Sequence, residues 1–142
     1  MTIAAILLGK SHEIISIDPD ASLQQAAALL AERRIGCVPV IEGGAVIGML
    51  SERDVVRSIG QLGAEALHRT VRELMTSPVV TIASDLAAIT ALSLMTRRRI
   101  RHLPVVEEGE LRGFVSIGDL VKYRIDRIEA EAAAMRDYIQ SA

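Results

Sequence analysis

Two short motifs combine a serine and an aspartate in a way that suits a phosphorylated ligand. Ser51-Glu-Arg-Asp54 and Ser116-Ile-Gly-Asp119 each lie where a strand-like apolar run gives way to a helical pattern. A helix N-terminus offers free N–H groups and a partial positive charge to a phosphate, and a carboxylate can accept from both hydroxyls of a ribose. Taken singly, however, each motif is better explained as an N-cap with favourable first-turn charge.

A basic run extends from Arg97 to His102 and is broken only by Ile100. Its arginines could neutralise phosphates, contact nucleic acid, or complement the macrodipole at a solvated helix C-terminus. We assign the last role to Arg97 and Arg98. Arg101 interrupts an apolar strand pattern, and for it we predict a phosphate contact.

The remaining reactive side chains predict neither a catalytic nor a metal centre. Cys37 is the single cysteine, so no intramolecular disulfide can form, and its apolar surroundings favour a small buried hydrophobe over a redox sensor. His12, His68 and His102 are scattered, without a carboxylate or thiol at ligand spacing. The sequence has no Cys/His dyad and no Walker-type glycine-rich loop, so we expect no enzyme activity.

Composition narrows the class of protein. Half of the 142 residues are hydrophobic but only 2% are aromatic, so the core must be aliphatic. A net charge of -2 and the lack of stacking aromatics argue against nucleic acid as a partner. The apolar run Ile3–Leu8 is too short to span a bilayer and lacks the features of a signal peptide, so we expect no membrane partner and a cytoplasmic location.

The chain contains an internal repeat. A shift of 65 positions superposes residues that composition bias does not explain, and a long ungapped match surrounds them. The matched pairs are Pro39 and Pro104, Gly48 and Gly113, Ser51 and Ser116, and Asp54 and Asp119. The lead-in segments Thr2–Leu7 and Thr70–Met75 match at a shift of 68, so the first repeat carries three extra residues around Gly9 to His12.

Each repeat predicts a strand, a helix, a hairpin and a second helix. In the first repeat, Glu13–Ile17 is a short β-branched run, and Leu23–Arg34 has helical periodicity after possible N-cap residues. Cys37–Ile41 and Ala45–Leu50 flank Glu42-Gly43-Gly44, which is typical of a hairpin turn. A second helix starts at about Ser51. The same β-α-β-β-α pattern recurs from Val79 to about Arg124, and two such units can bury a core by packing together.

The two copies resemble cystathionine-β-synthase (CBS) domains, and the pair resembles a Bateman module. Three stretches carry the resemblance in addition to the serine–aspartate motifs: Arg34-Ile-Gly-Cys-Val-Pro-Val-Ile41, Arg99-Ile-Arg-His-Leu-Pro-Val-Val106 and Glu73-Leu-Met-Thr-Ser-Pro-Val-Val-Thr81. The resemblance implies an α+β fold with two repeats in a pseudo-two-fold arrangement, free-standing in this chain. We predict a first CBS domain at 1–60 with its lead-in, a linker at 61–69, a second CBS domain at 70–126 and a helical extension at 127–142.

The resemblance also implies where a ligand would bind. Each cleft should combine the serine–aspartate motif of one repeat with strand residues of the other, and aliphatic side chains should enclose the adenine. For the Asp119 cleft we expect Ser116, Ile17, Ile35 and Cys37. For the Asp54 cleft we expect Ser51, Val79, Thr81, Ile100, Arg101 and His102. For any one of these aliphatic residues, plain core packing is the simpler alternative. Because Arg101 replaces Gly36, we expect unequal clefts.

The C-terminal segment predicts one long helix from Asp119 to about Ile139, without glycine or proline. Apolar residues recur at spacings of four and three, as in a heptad seam. These residues are Val121, Ile125, Ile128, Ala132, Met135 and Ile139. The seam could pack on the chain's own N-terminal segment or on the same helix of a second chain. Bateman modules commonly pair, which favours a homodimer.

Together these features predict a regulatory module rather than an enzyme. By resemblance, its ligand would be an adenosine compound: AMP, ADP, ATP, NAD(H) or S-adenosylmethionine. No other cofactor is expected. Binding would shift the equilibrium of an unidentified regulated protein. An enzyme, a nucleic-acid binder or a purely structural dimerisation module are the alternatives.

Overall fold

The computed structural model of the chain describes residues 1–10 and 13–141. Within them, a helix–hairpin–helix unit occurs twice, which confirms the predicted α+β duplication. The elements in chain order are α1 (Ile3–Leu8), α2 (Leu23–Arg33), β1 (Cys37–Glu42), β2 (Ala45–Ser51), α3 (Glu52–Leu62), a 3₁₀ helix (Gly63–His68), α4 (Val71–Leu74), α5 (Ala88–Arg98), β3 (His102–Glu107), β4 (Glu110–Ser116) and α6 (Ile117–Ser141).

Both predicted hairpins form, and their registers are equivalent. β1 pairs antiparallel with β2, and β3 pairs antiparallel with β4. Each ladder shifts at the same place, between Val40 and Ile41 and between Val105 and Val106. The hairpin therefore repeats in detail, including its irregularity.

The first predicted strand of each repeat shrinks to a single parallel bridge among the described residues. The Ile17 N–H donates to the Pro39 carbonyl at 3.0 Å, and the Ile41 N–H donates to the Ile17 carbonyl at 3.1 Å. The next bond of a parallel ladder would need an N–H at Pro39, and proline has none. Ile82 forms the same isolated bridge beside Pro104. The matched prolines thus end both ladders.

The two short lead-in helices are exchanged between the repeats. Ile3 and Ile6 of α1 are buried in the core of the second repeat, with Leu103 and Val115 among its members. Val71 of α4 is buried in the core of the first repeat. Helix α1 also forms a backbone hydrogen bond across the repeats, since the Ile3 N–H donates to the Leu86 carbonyl at 2.9 Å. Each repeat is therefore completed by the lead-in of the other.

The matched glycines explain how the exchanged segments fit. A Cβ atom at Gly48 of β2 would collide with the side chain of Met75, and one at Gly113 of β4 would collide with Leu7. Met75 and Leu7 are equivalent positions of the two lead-ins. Glycine at both strand positions leaves room for these side chains, and a larger residue there would make Met75 or Leu7 shift.

The segment predicted as a linker is structured. α3 continues to Leu62, and the 3₁₀ helix that follows buries Ala66 completely in the core of the first repeat. Ser11 and His12, which belong to the three extra residues of the first lead-in, lie outside the described residues, as does Ala142 of the predicted helical extension. In the part of the chain that is described, no helix is both long and apolar enough to traverse a bilayer.

Candidate functional site

Two cavities open between the repeats. The larger, of about 690 Å³, contains Ser51 and Asp54 of the first repeat and is called the Asp54 cleft below. The smaller, of about 510 Å³, contains Ser116 and Asp119 of the second repeat and is called the Asp119 cleft. Both volumes fall in the range of small-molecule sites.

In the Asp54 cleft, the carboxylate is fully engaged by the chain. Ser51 and Asp54 form a capping box at the start of α3: the Asp54 N–H donates to Ser51 Oγ at 3.2 Å, and the Ser51 N–H donates to Asp54 Oδ2 at 2.8 Å. Asp54 Oδ1 accepts from Arg57 at 2.6 Å and from Thr76 Oγ1 at 2.9 Å. The residue is only 3% exposed. Ser51 and Asp54 therefore form the N-cap that was the alternative interpretation of this motif.

In the Asp119 cleft, one oxygen of the carboxylate has no hydrogen-bond donor among the described residues. Asp119 Oδ2 accepts from the Ser116 N–H at 2.8 Å and from Lys10 Nζ at 2.7 Å. Oδ1 accepts no hydrogen bond from any residue in 1–10 or 13–141. Partial burial raises the pKa of Asp119, but the bonds from Lys10 and Ser116 outweigh it and hold that pKa below the usual value. Asp119 thus presents an ionised oxygen to the cleft.

Predicted residues of the opposite repeat contribute to the wall of each cleft. Val79, Ile100 and His102 line the Asp54 cleft, and Ile35 and Cys37 line the Asp119 cleft. Each cleft therefore joins a helix N-terminus of one repeat to the strand entry of the other.

Two predicted residues lie elsewhere. Ile17 packs against the core of the first repeat and does not line the Asp119 cleft; Ile14 and Ile15 lie there instead. Thr81 is exposed and lies outside the Asp54 cleft, where Val80 takes its place beside Val79. Ile17 forms a parallel bridge that holds its side chain toward the core, so the wall is formed by residues earlier in the segment.

Gly36, Cys37 and His102 line both clefts, so the two cavities meet at the centre of the module. The His102 ring stacks on Phe114 with a centroid distance of 5.5 Å. Burial, chiefly, lowers the pKa of His102, which favours the neutral imidazole at physiological pH.

Cys37 is buried as predicted, and its chemistry follows from its surroundings. Burial, reinforced by the negative charge of Asp54, raises the pKa of the thiol to about 12. A neutral thiol is a poor nucleophile, which agrees with the prediction of a small buried hydrophobe.

The clefts differ in their free positive charge. Arg53, Arg99 and Arg101 line the Asp54 cleft, and within the described residues none of them forms a salt bridge. Among the described residues that line the Asp119 cleft, only the arginine Arg34 has no salt bridge, because Lys10 pairs with Asp119 and Arg112 pairs with Glu110 at 3.4 Å. The predicted inequality thus extends beyond Arg101.

Sequence analysis missed Lys10, Thr76 and Arg57, which hold the two carboxylates. Arg57 could have been found, because a basic residue three positions after an acidic one lies on the same helix face. Lys10 and Thr76 carry no such signal: they reach the motifs only through the exchange of the lead-ins. No group of three potential metal ligands occurs among residues 1–10 and 13–141.

Known proteins are similar to this chain over most of its length. The family model for the CBS domain matches twice, at residues 7–61 and 71–126. The CBS domain-containing protein YhcV of Bacillus subtilis is 30% identical over 121 residues, covering 85% of this chain and 86% of that protein. A CBS-domain containing protein from Agrobacterium tumefaciens has a crystal structure that matches with a TM-score of 0.83 at 36% identity, covering 87% of this chain and 92% of that one.

A more distant structure shares the fold alone. The CBS domain pair of protein MJ0100, solved in complex with 5′-methylthioadenosine and S-adenosyl-L-methionine, matches with a TM-score of 0.79 at 22% identity. The match covers 89% of this chain and 98% of that chain.

Proposed function

Because the chain belongs to the CBS-domain family, we propose that it is a regulatory module that binds an adenosine-containing ligand between its repeats and signals to a partner protein. The observation that carries the proposal is the pair of cavities, each with a helix N-terminus from one repeat and an apolar wall from the other. The adenosine compounds bound by the MJ0100 pair support this ligand class.

The Asp119 cleft is proposed as the site that recognises ribose. Asp119 Oδ1 is an ionised acceptor without a partner among the described residues, and a ribose diol supplies the two donors that it lacks. Ile35 and Cys37 offer the apolar surface for the base. Lys10 Nζ lies beside the carboxylate, where it can also reach a first phosphate.

The Asp54 cleft is proposed to favour ligands with more phosphates. Arg53, Arg99 and Arg101, which form no ion pair with any described residue, supply the charge that a triphosphate needs. Asp54 is already satisfied by Arg57 and Thr76, so a ribose must displace these partners. Affinity here depends on phosphate contacts more than on the sugar.

Signalling follows from the position of the clefts. A ligand that contacts both walls favours the arrangement of repeats in which the walls are correctly spaced, and a partner that distinguishes this arrangement responds. We propose that the module acts as a homodimer without catalysing a reaction itself. A reduced, buried Cys37 suits a cytoplasmic location.

A thermal-shift panel tests the proposal. We expect adenosine, AMP and S-adenosylmethionine to stabilise the chain by about 3 kcal/mol at a concentration about 100 times Kd. Asp119→Asn should remove the effect of adenosine. Arg101→Ala should weaken ATP binding about tenfold, as expected for the loss of one charge-assisted phosphate contact.

Matched control variants make the same change of charge at residues outside the clefts. Asp126→Asn on the exposed face of α6 and Arg98→Ala in the last turn of α5 should leave both responses unchanged. If no adenosine compound stabilises the wild-type chain, the proposed function is wrong. If the controls weaken binding as much as the cleft variants, the assignment of the two clefts is wrong.

A further inference from the structure

An apolar stripe runs along the outer face of α6. Its large residues are between 44% exposed, at Val121, and 65% exposed, at Ile139. The stripe consists of Val121, Ile125, Ile128, Ala132, Met135 and Ile139. A continuous seam of this length at heptad spacing is the pattern by which helices pair.

The chain's own N-terminal segment does not cover the stripe. Ile3 and Ile6 of α1 are buried in the core that also contains Leu120, and Tyr123 packs against it. Leu120 and Tyr123 lie on the face of α6 opposite the stripe, given 3.6 residues per turn. The intramolecular alternative is therefore excluded for the described residues, and the stripe points away from the body of the protein.

Charges beside the stripe indicate what covers it. With Val121, Ile128 and Met135 at heptad position d, the flanking e positions are Lys122, Glu129 and Arg136, and the flanking g positions are Arg124, Glu131 and Tyr138. In a parallel pair of identical helices, each g residue faces the e residue five positions later on the other helix. Arg124 then faces Glu129, and Glu131 faces Arg136. Both pairs attract.

The antiparallel arrangement brings like charges together. If Val121 opposes Ile139, then e faces e and g faces g. Glu129 would meet a second Glu129, Glu131 a second Glu131, and Lys122 would meet Arg136. These contacts repel, so for a pair of identical helices the charge pattern favours the parallel direction over this antiparallel register.

We infer that α6 pairs with α6 of a second copy of this chain as a parallel, in-register coiled coil over residues 121–139. The inference goes beyond the proposed homodimer because it fixes the interface and the relative direction of the chains. It does not depend on nucleotide binding. A parallel pair places the two bodies on opposite sides of the helix pair, since Leu120 and Tyr123 hold each body on the face away from the stripe.

Sedimentation measurements on charge-reversal variants test the interface. Arg124→Glu and Glu129→Arg should each weaken the dimer about tenfold, because attraction becomes repulsion at two symmetric places. The double variant R124E/E129R should restore wild-type affinity. Asp126→Arg, a matched reversal at position b away from the seam, should have no effect.

Disulfide cross-linking tests the direction. Ile139→Cys should give a covalent dimer on mild oxidation, because a parallel pair brings equivalent positions near each other and within the narrow Cα distance of a disulfide. The wild-type chain, whose Cys37 is buried, is the control. In an antiparallel pair, Ile139→Cys would cross-link only when mixed with Val121→Cys, which would overturn the inference.

The outcomes separate the claims. If neither Arg124→Glu nor Glu129→Arg changes the affinity of the dimer, the inferred coiled coil is wrong, but the proposed homodimer stands. A wild-type chain that stays monomeric overturns both. Neither result bears on the nucleotide response of the thermal-shift panel, which is measured independently.

Discussion

The Asp54 cleft and the Asp119 cleft are built from two copies of one motif, yet they hold their carboxylates differently. Both aspartates accept from the N–H of the serine three residues earlier, so both motifs cap a helix. Asp54 is buried with both oxygens bound, whereas Asp119 has one oxygen without a donor among residues 1–10 and 13–141. Duplication has preserved the cap and allowed the second oxygen to diverge.

The divergence has two sources. Arg57, which binds Asp54 Oδ1, lies in α3 of the first repeat. Thr76, which also binds Asp54, directly follows the second lead-in, and Lys10, which binds Asp119, follows the first. The first lead-in is three residues longer, so the two segments deliver different side chains to equivalent carboxylates. A change of length outside the motif has altered the chemistry inside it.

The largest expected effect concerns the reactivity of Cys37, which lies at the centre of the module and is the counterpart of His102 in the second repeat. Since burial and Asp54 raise the thiol pKa from 9.0 to about 12, the thiolate fraction of Cys37 at pH 8 should be about 1000 times lower than in the unfolded chain. Alkylation followed by mass spectrometry, with and without urea, measures the ratio. A native rate within about tenfold of the unfolded rate would contradict the burial and charge argued for this wall.

Next in size is the stability difference between the two aspartates. Asp54→Ala should lower the free energy of unfolding by about 3 kcal/mol, because it removes a cap together with the charge-assisted hydrogen bonds that Arg57 and Thr76 donate to the buried carboxylate. Asp119→Ala should cost about 1 kcal/mol, close to the loss of a cap alone. Urea unfolding compares them, with Asp126→Ala as an exposed control. Equal losses would show that the clefts are not held differently.

The smallest effect is the pH dependence of the Lys10–Asp119 pair. The folded pKa of Asp119 is below its unfolded value, so its stabilisation is present above about pH 4 and lost as pH falls through the folded pKa. Lys10→Ala should raise the pKa of Asp119 and cost up to about 1 kcal/mol at pH 7, because the pair is partly exposed. NMR titration of the carboxyl carbon follows the pKa. Lys10→Arg, which retains the charge, should keep it low.

Much of this architecture was predictable because its signals are local. The spacing of Ser51 and Asp54 specifies a capping box, and the Glu42-Gly43-Gly44 turn specifies a hairpin. The predicted first strand was too long, although its limit was visible: Pro39 has no N–H to extend a parallel ladder. Ile17 and Thr81, which the resemblance implied for the clefts, do not line the two cavities, because shared motifs do not show which side chain turns toward a neighbouring repeat.

The sequence by itself determined the caps, the hairpins and the long helix, because each depends on residues close together in the chain. It also determined the duplication, because the same residues recur at a shift of 65 positions. Only the tertiary structure decided which core each lead-in joins, since a short apolar helix such as Ile3–Leu8 suits either of two homologous cores. That choice places Lys10 on Asp119 and Thr76 on Asp54. It thereby contributes, together with Arg57 of α3 on Asp54, to the different environments of the two carboxylates among the described residues.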